Sequence, residues 1–434
     1  MNPFQEKPKA MDECFIDWKK LYQKPYDKNS VDPYTKARII LMNGIEVEAV
    51  MFGHQFHRNC NDNELRREAA CLRRSEQMQQ KTINWLSPGD ETQIETTIGY
   101  EHLAVDLTAW LAAHEPNPYV KACMDFALLE DFDHLYRYAN LLKMDHNIPA
   151  HKLVQEYVEI TPGRPTIAHH RHPHDTVRYY CDFKKADIQT KLSTMIITAG
   201  EQQTMNFYMN IGNTYENDLG RQLYQEIGMV EEQHVTQYGA LLDPNCSWLE
   251  NMLMHEFLEC YLYYSFYTDE PDRSIRKIWE LHLEQEISHL HRVKELFEKY
   301  EKRQWEEVTD GEFPELLHFH DMKDYVREIL GTQVYLTADQ EEFVPINELP
   351  KEHDFYEFQQ HVNKRPKEVP SHVVIEEMID AKGEDYRYEV MENPVEELRD
   401  RKEDNIKVGR VAQKSIPMRE KSVDYEYEKT RLPH

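Results

Sequence analysis

Residues 275–300 read IRKIWELHLEQEISHLHRVKELFEKY, and the fold is decided by how this stretch is read. Steps of three and four place Ile275, Ile278, Trp279, His282, Glu286, His289, Leu290, Val293, Leu296, Phe297 and Tyr300 on one face of a helix. The face is apolar except for His282, Glu286 and His289. Residues 223–241 repeat the anomaly: Leu223, Ile227, Glu231, His234, Tyr238 and Leu241 share a stripe. Residues 248–267 are apolar nearly all round, with Glu256 and Glu259 as the exceptions. An ionised carboxylate is costly to bury unless a counter-charge meets it. Acids on core stripes therefore need cations.

Working outward, four helices are expected between about 186 and 301, with turns near 216–217, 243–244 and 271. Four more are expected from 45 to 143, broken at 61–62, 88–89 and 116. The expected fold is all-α, with two tandem four-helix bundles and an irregular C-terminal extension. The boundaries read as a 1–44 N-terminal extension, a 45–143 first bundle and a 144–184 Pro/His-rich connector. A 185–305 second bundle and a 306–434 extension follow, the last thirty or so residues a loosely held polar tail.

The second helix set contains Glu201, Glu231-x-x-His234, Glu256 and Glu286-x-x-His289. Two carboxylates plus two Glu-x-x-His pairs are what a four-helix bundle uses to hold two metal ions. The midpoints between successive glutamates fall at 216, between 243 and 244, and at 271, each on a predicted turn. Ligands equidistant from a turn lie at the same height on its two antiparallel helices. All six are therefore expected to share one layer as metal ligands, with Glu231 and Glu286 bridging. The first set repeats the pattern at an offset of 155: Glu46, Glu76, Glu101, Asp131 and His134 match Glu201, Glu231, Glu256, Glu286 and His289. Gln79 stands where His234 would be, so this site is expected to be the weaker one. A rival set, pairing helices across the repeat, is Glu101, Asp131, His134, Glu201, Glu231 and His234.

At these residues the chain resembles the ferritin-like di-metal carboxylate superfamily, which includes rubrerythrins, manganese catalases and di-iron oxygenases. The resemblance covers about 45–300 and lies in the ligand pattern. It implies two Fe (or Mn) ions and an oxidoreductase reacting with O2 or hydrogen peroxide, of peroxidase, oxygenase or ferroxidase type. A small organic substrate, an external electron donor and a homo-oligomer are compatible with it. Those families join their second and third helices by a long crossover, whereas 231 to 256 leaves room only for a tight turn. His282-x-x-x-Glu286-x-x-His289 is similar to the extra-histidine pattern of di-iron arylamine N-oxygenases, which would make His282 a seventh ligand; a support for a ligand is the alternative. Glu259 matches the i+3 glutamate of rubrerythrin-like sites, or is a supporting acid. The alternative from another class is a non-catalytic iron-handling or scaffold protein in which metal only staples the bundle.

Other signals are weaker. Tyr238 is the candidate catalytic tyrosine, and Tyr208, Tyr263 and Tyr264 could also relay electrons; packing explains them equally, as it does Tyr138. His169, His170, His172 and His174 read as a solvated loop, and Glu315-x-x-His318 as a chance match. A net charge of -28 argues against nucleic acid and anionic membranes as partners. No apolar run is long enough to span a bilayer, and the seven cysteines contain no Cys-x-x-Cys, so a reduced cytoplasm is expected. No Gly-rich phosphate loop is present.

Overall fold

Each of the long helices that carry the acidic residues begins at a side chain that caps it. Asp32 accepts from the amides of Tyr34 and Thr35 and starts α1, Pro33–Asn59. Asp62 starts α2, Asn63–Asn84. Thr92 forms a capping box with Glu95 at α3, Gln93–His114, and Asn117 caps α4, Pro118–His146. Asp187 starts α5, Ile188–Ile211, and Asn217 starts α6, Asp218–Gly239. Ser247 boxes with Glu250 at α7, Trp248–Asp269, and Asp272 caps α8, Arg273–Glu301. Every cap in the second set lies 155 residues after its counterpart in the first. Left-handed residues end both α4 and α8, Asn147 at φ 55° and Lys302 at φ 59°. The duplication extends from the acids to the joints.

This architecture comes from a computed structural model that describes residues 1–399, apart from 165, 366 and 367. The chain is mostly helical, with one small antiparallel sheet, Leu336–Asp339 (β1) against Glu342–Pro345 (β2). The helices form hairpins, α1/α2, α3/α4, α5/α6 and α7/α8. Their pairing departs from the sequence expectation. The α3/α4 hairpin meets α5/α6, and α1/α2 meets α7/α8, so the 45–143 and 185–305 halves interlace rather than close separately. The long connector 147–187 is what permits this, because it carries the chain from the end of α4 to the start of α5 as a crossover. Equivalent bonds mark both pairings: Thr35 Oγ1 donates to Glu270 at 2.6 Å, and Thr190 Oγ1 donates to Glu115. The two groups join where α1 crosses α5. A Cβ on Gly44 would lie 3.2 Å from Gln203, whose amide donates to the Ile40 carbonyl at 2.7 Å.

Two flanks are more ordered than their composition suggests. The first helix starts at Pro33 rather than 45, because Lys36 and Arg38 on its buried turn are paired with Glu91, Asp269 and Glu270. The C-terminal extension forms α9 (Lys323–Gln333), α10 (Asp354–Val362) and α11 (Pro370–Lys382). Val326, Ile329 and Leu330 of α9 and Val374, Ile375 and Met378 of α11 share a core with α3–α6. Each is a short amphipathic helix whose apolar stripe is stabilised by packing. The expected polar tail from about 401 lies outside the described residues. Among the described residues, no helix is long and apolar enough to cross a membrane.

Candidate metal centres

The first centre sits between α3, α4, α5 and α6. Glu101, Asp131, His134 and Glu231 present ligand-type atoms within 4.8 Å of one another, and so do Asp131, Glu201, Glu231 and His234. Asp131 and Glu231 belong to both groups. Glu101 with His134, and Glu201 with His234, flank them on either side. All six are at most 2 % exposed. His134 Nδ1 lies 2.9 Å from Glu231, and His234 Nδ1 lies 3.2 Å from Asp131 and 3.6 Å from Glu201. Yet both oxygens of Asp131, Glu201 and Glu231, both ring nitrogens of His134 and Nδ1 of His234 lack a hydrogen-bond partner. Such a density of unsatisfied buried polar atoms is rare in proteins.

The charges agree. Burial pushes Glu101 and Glu201 well above the usual carboxylate range and raises Asp131. Burial acts on Glu231 too, but its contacts with His134 and His234 outweigh it and hold the carboxyl down at about 2. For His234, burial is overcome by Asp131 and Glu201, which raise it well above an ordinary imidazole.

Residues outside the expected set support it. His234 Nε2 donates to Glu130 at 2.8 Å, which turns Nδ1 toward the acids. Glu130 in turn meets Arg171, with Arg164 at 3.6 Å. Burial would raise Glu130, but Arg171 and His234 hold it well below the carboxylate range. Sequence reasoning missed this trio. Glu130 sits on a helix buried all round, where no stripe singles it out. The arginines come from the connector read as solvated, a reading the structure corrects: Arg164, His169, His170 and Arg171 are buried because they close over α4 and α6. His172 and His174 are less buried and group with Asp354 near the surface.

The second centre lies between α1, α2, α7 and α8. Glu76, Glu256, Glu286 and His289 form one group within 4.8 Å. His289 Nδ1 lies 3.0 Å from Glu286, 3.7 Å from Glu256 and 3.8 Å from Glu76. Glu46 and Glu259 add buried acids beside it. Gln79 takes the place that His234 holds in the first centre, and donates to Glu286. Burial lifts Glu76 to about 7 despite His289, and lifts Glu46, Glu256 and Glu259 well above the usual carboxylate range. His289 offsets burial at Glu286 and lowers it.

The expected single layer of Glu201, Glu231, His234, Glu256, Glu286 and His289 is thus divided between two centres, with Glu201, Glu231 and His234 in the first and the others in the second. The rival set is the one brought together whole. Sharing of Asp131 and Glu231 also replaces the expected Glu231 and Glu286 bridges within one centre. His282 lies outside the ligand group: its Nδ1 is 3.1 Å from the Tyr263 hydroxyl, and burial lowers its pKa to about 3. Glu259 is fully buried with both oxygens unpartnered. Tyr208 donates to Glu101 and Tyr263 to Glu46, so each touches a candidate ligand. The Tyr238 ring is 6.4 Å from that of His234, and the hydroxyls of Tyr238 and Tyr138 have no partner. Tyr264 packs on Phe313, away from both centres. Glu315 is exposed, 3.7 Å from His114, and His318 is half-buried, 3.6 Å from Asp269.

Compared with protein-family models, with curated proteins and with solved structures, the chain finds no match.

Proposed function

We propose that the chain is a di-metal carboxylate protein of ferritin-like type, with a pair of Fe (or Mn) ions in the first centre and at least one in the second, reacting with O2 or hydrogen peroxide. One observation carries the reading: Asp131 and Glu231 are common to two overlapping ligand groups, each completed by one glutamate and one histidine. That is the donor set of a bridged metal pair. Four carboxylates there carry four negative charges, which two divalent ions balance, and the atoms without partners are the ones a metal would take. Glu101 and His134 would hold one ion, Glu201 and His234 the other. Mixed oxygen and imidazole donors suit iron or manganese.

When bound, such ions would supply one-electron redox chemistry toward an oxidant. The protein's own contribution is to fix the layer. Glu130 holds the His234 proton on Nε2 so that Nδ1 stays free, and Arg171 keeps Glu130 ionised. Tyr208 and Tyr263 each donate a hydroxyl hydrogen bond to a candidate ligand carboxylate, Glu101 and Glu46, and so help fix its orientation. The apolar helices around the layer exclude water.

Iron analysis of protein purified without chelators tests the reading, followed by peroxide and O2 consumption. Bound iron with oxidant turnover is the expected outcome. Bound iron that only raises the melting temperature would favour the stapling role, and no bound transition metal would contradict both.

A further inference from the structure

At the offset of 155 residues the two centres become each other except at a few positions, and those positions govern access. In the first centre Tyr208 and Tyr224 are buried, their rings 5.5 Å apart and both against Tyr138. Tyr208 reaches Glu101, and the Tyr224 hydroxyl is 2.6 Å from Thr97 Oγ1. Gly228 lies beside them, where a Cβ would be in ordinary contact, 3.5 Å from Tyr208 Cβ. In the second centre the counterparts of Tyr208 and Tyr224 are Gly53 and Ala69, and the counterpart of Gly228 is Arg73.

The missing rings leave a narrow cleft of about 10 Å³, room for about one water molecule while Arg73 is in place, passing Phe52, Gly53, Ala69, Arg73 and His255 to Glu76 and Glu256. At its inner end Oε2 of Glu256 is buried without a partner, as is Nδ1 of His255. Arg73 lies across the mouth. Its guanidinium donates to the carbonyls of Gly53 at 3.2 Å and Ala69 at 3.1 Å, bonds that water can replace. The only strong charge at the opening is thus a movable cation.

We propose that the second centre exchanges small ligands of two or three heavy atoms, neutral or singly negative, through this cleft with Arg73 as its cover, while Tyr208 and Tyr224 close the first centre. The inference rests on the metal-binding reading and adds which centre meets the oxidant. The full chain loaded with ferric iron is titrated with sodium azide, and the azide-to-iron absorption band is followed in time after iron content has been measured. Azide should bind rapidly at one centre and persist in the Asp131→Ala, Glu231→Ala double variant. Gly53→Leu should slow binding by about tenfold or more with iron content unchanged, and Arg73→Ala should speed it. Ala69→Leu narrows the cleft from the facing helix and should act like Gly53→Leu, which covers a Gly53 variant that does not fold. The double variant Tyr208→Gly, Tyr224→Ala should let a second azide bind. Unchanged azide kinetics in Gly53→Leu or Ala69→Leu would overturn the cleft, as would loss of rapid binding in the Asp131→Ala, Glu231→Ala variant. A chain that takes up no iron contradicts the metal centres themselves, a different failure read before azide is added.

Discussion

The two centres descend from one pattern, yet they solve the same electrostatic problem differently. The first has two histidines for four acids, and an arginine-held glutamate behind one histidine. The second has one histidine in its ligand group, a glutamine in place of the other and an extra acid, Glu259. Where the first has Glu130, the second has neutral Gln285, whose amide is spent on the Cys14 carbonyl at 2.7 Å. Where the first is plugged by tyrosines, the second has a glycine and an alanine. The comparison teaches that a repeated pattern can keep its carboxylates while the groups packed around them change.

The largest effect that would sharpen this contrast comes from removing the shared acids of one centre alone. Asp131→Ala with Glu231→Ala should abolish metal binding at the first centre and leave the second loaded. With metal in large excess, the stability lost should be about 4 kcal/mol, measured by denaturant titration with and without iron. A chain that loses all its metal would show that the two layers are not independent.

Glu130→Gln comes next. Loss of the charge that fixes His234 should weaken metal binding at the first centre by about 10- to 100-fold, read by competition with a chelator. Equal weakening of the second centre would break the assignment of Glu130 to His234.

Gln79→His returns the imidazole that the second centre lacks. It should raise metal content there toward that of the first centre, and an unchanged metal-to-protein ratio would place the deficit elsewhere.

The smallest effect is a pH slope. Burial raises Glu76 to about 7, so between the ordinary carboxylate range and about 7 the folded metal-free protein holds a proton that the unfolded chain releases. Its stabilising contribution is complete below the ordinary range and is lost as pH rises through 7. The metal-free melting temperature should therefore rise as pH falls from 8 to about 5.5, and Glu76→Gln should flatten that rise by a few degrees. A melting temperature that falls over this window would contradict it.

Much of this was legible in the sequence because buried acids and turns leave independent traces. The spacing identified the helices, their turns, the offset of 155 and nearly every candidate ligand. It did not identify which helices share a layer. Equal distance from a turn fixes height along a helix but not the neighbour beside it, and Glu101 and Asp131 stand as level with Glu201 and Glu231 as Glu256 and Glu286 would. The long 147–187 connector was the available clue. Glu130, Arg164 and Arg171 stayed hidden because their partners lie in a loop whose composition resembles a solvated linker. The short helices α9 and α11 stayed hidden because their apolar stripes, such as Val326, Ile329 and Leu330, span only two or three turns and show their purpose only against the core they cover.

Anomalous diffraction at the iron edge from crystals of the iron-loaded protein tests the central claim most directly. Two peaks should appear inside the ring of Glu101, Asp131, His134, Glu201, Glu231 and His234, with Asp131 and Glu231 between them, and at least one more beside Glu76, Glu256, Glu286 and His289. Iron confined to surface sites, or a peak joining Glu201 and Glu231 to Glu256 and Glu286, would contradict the account.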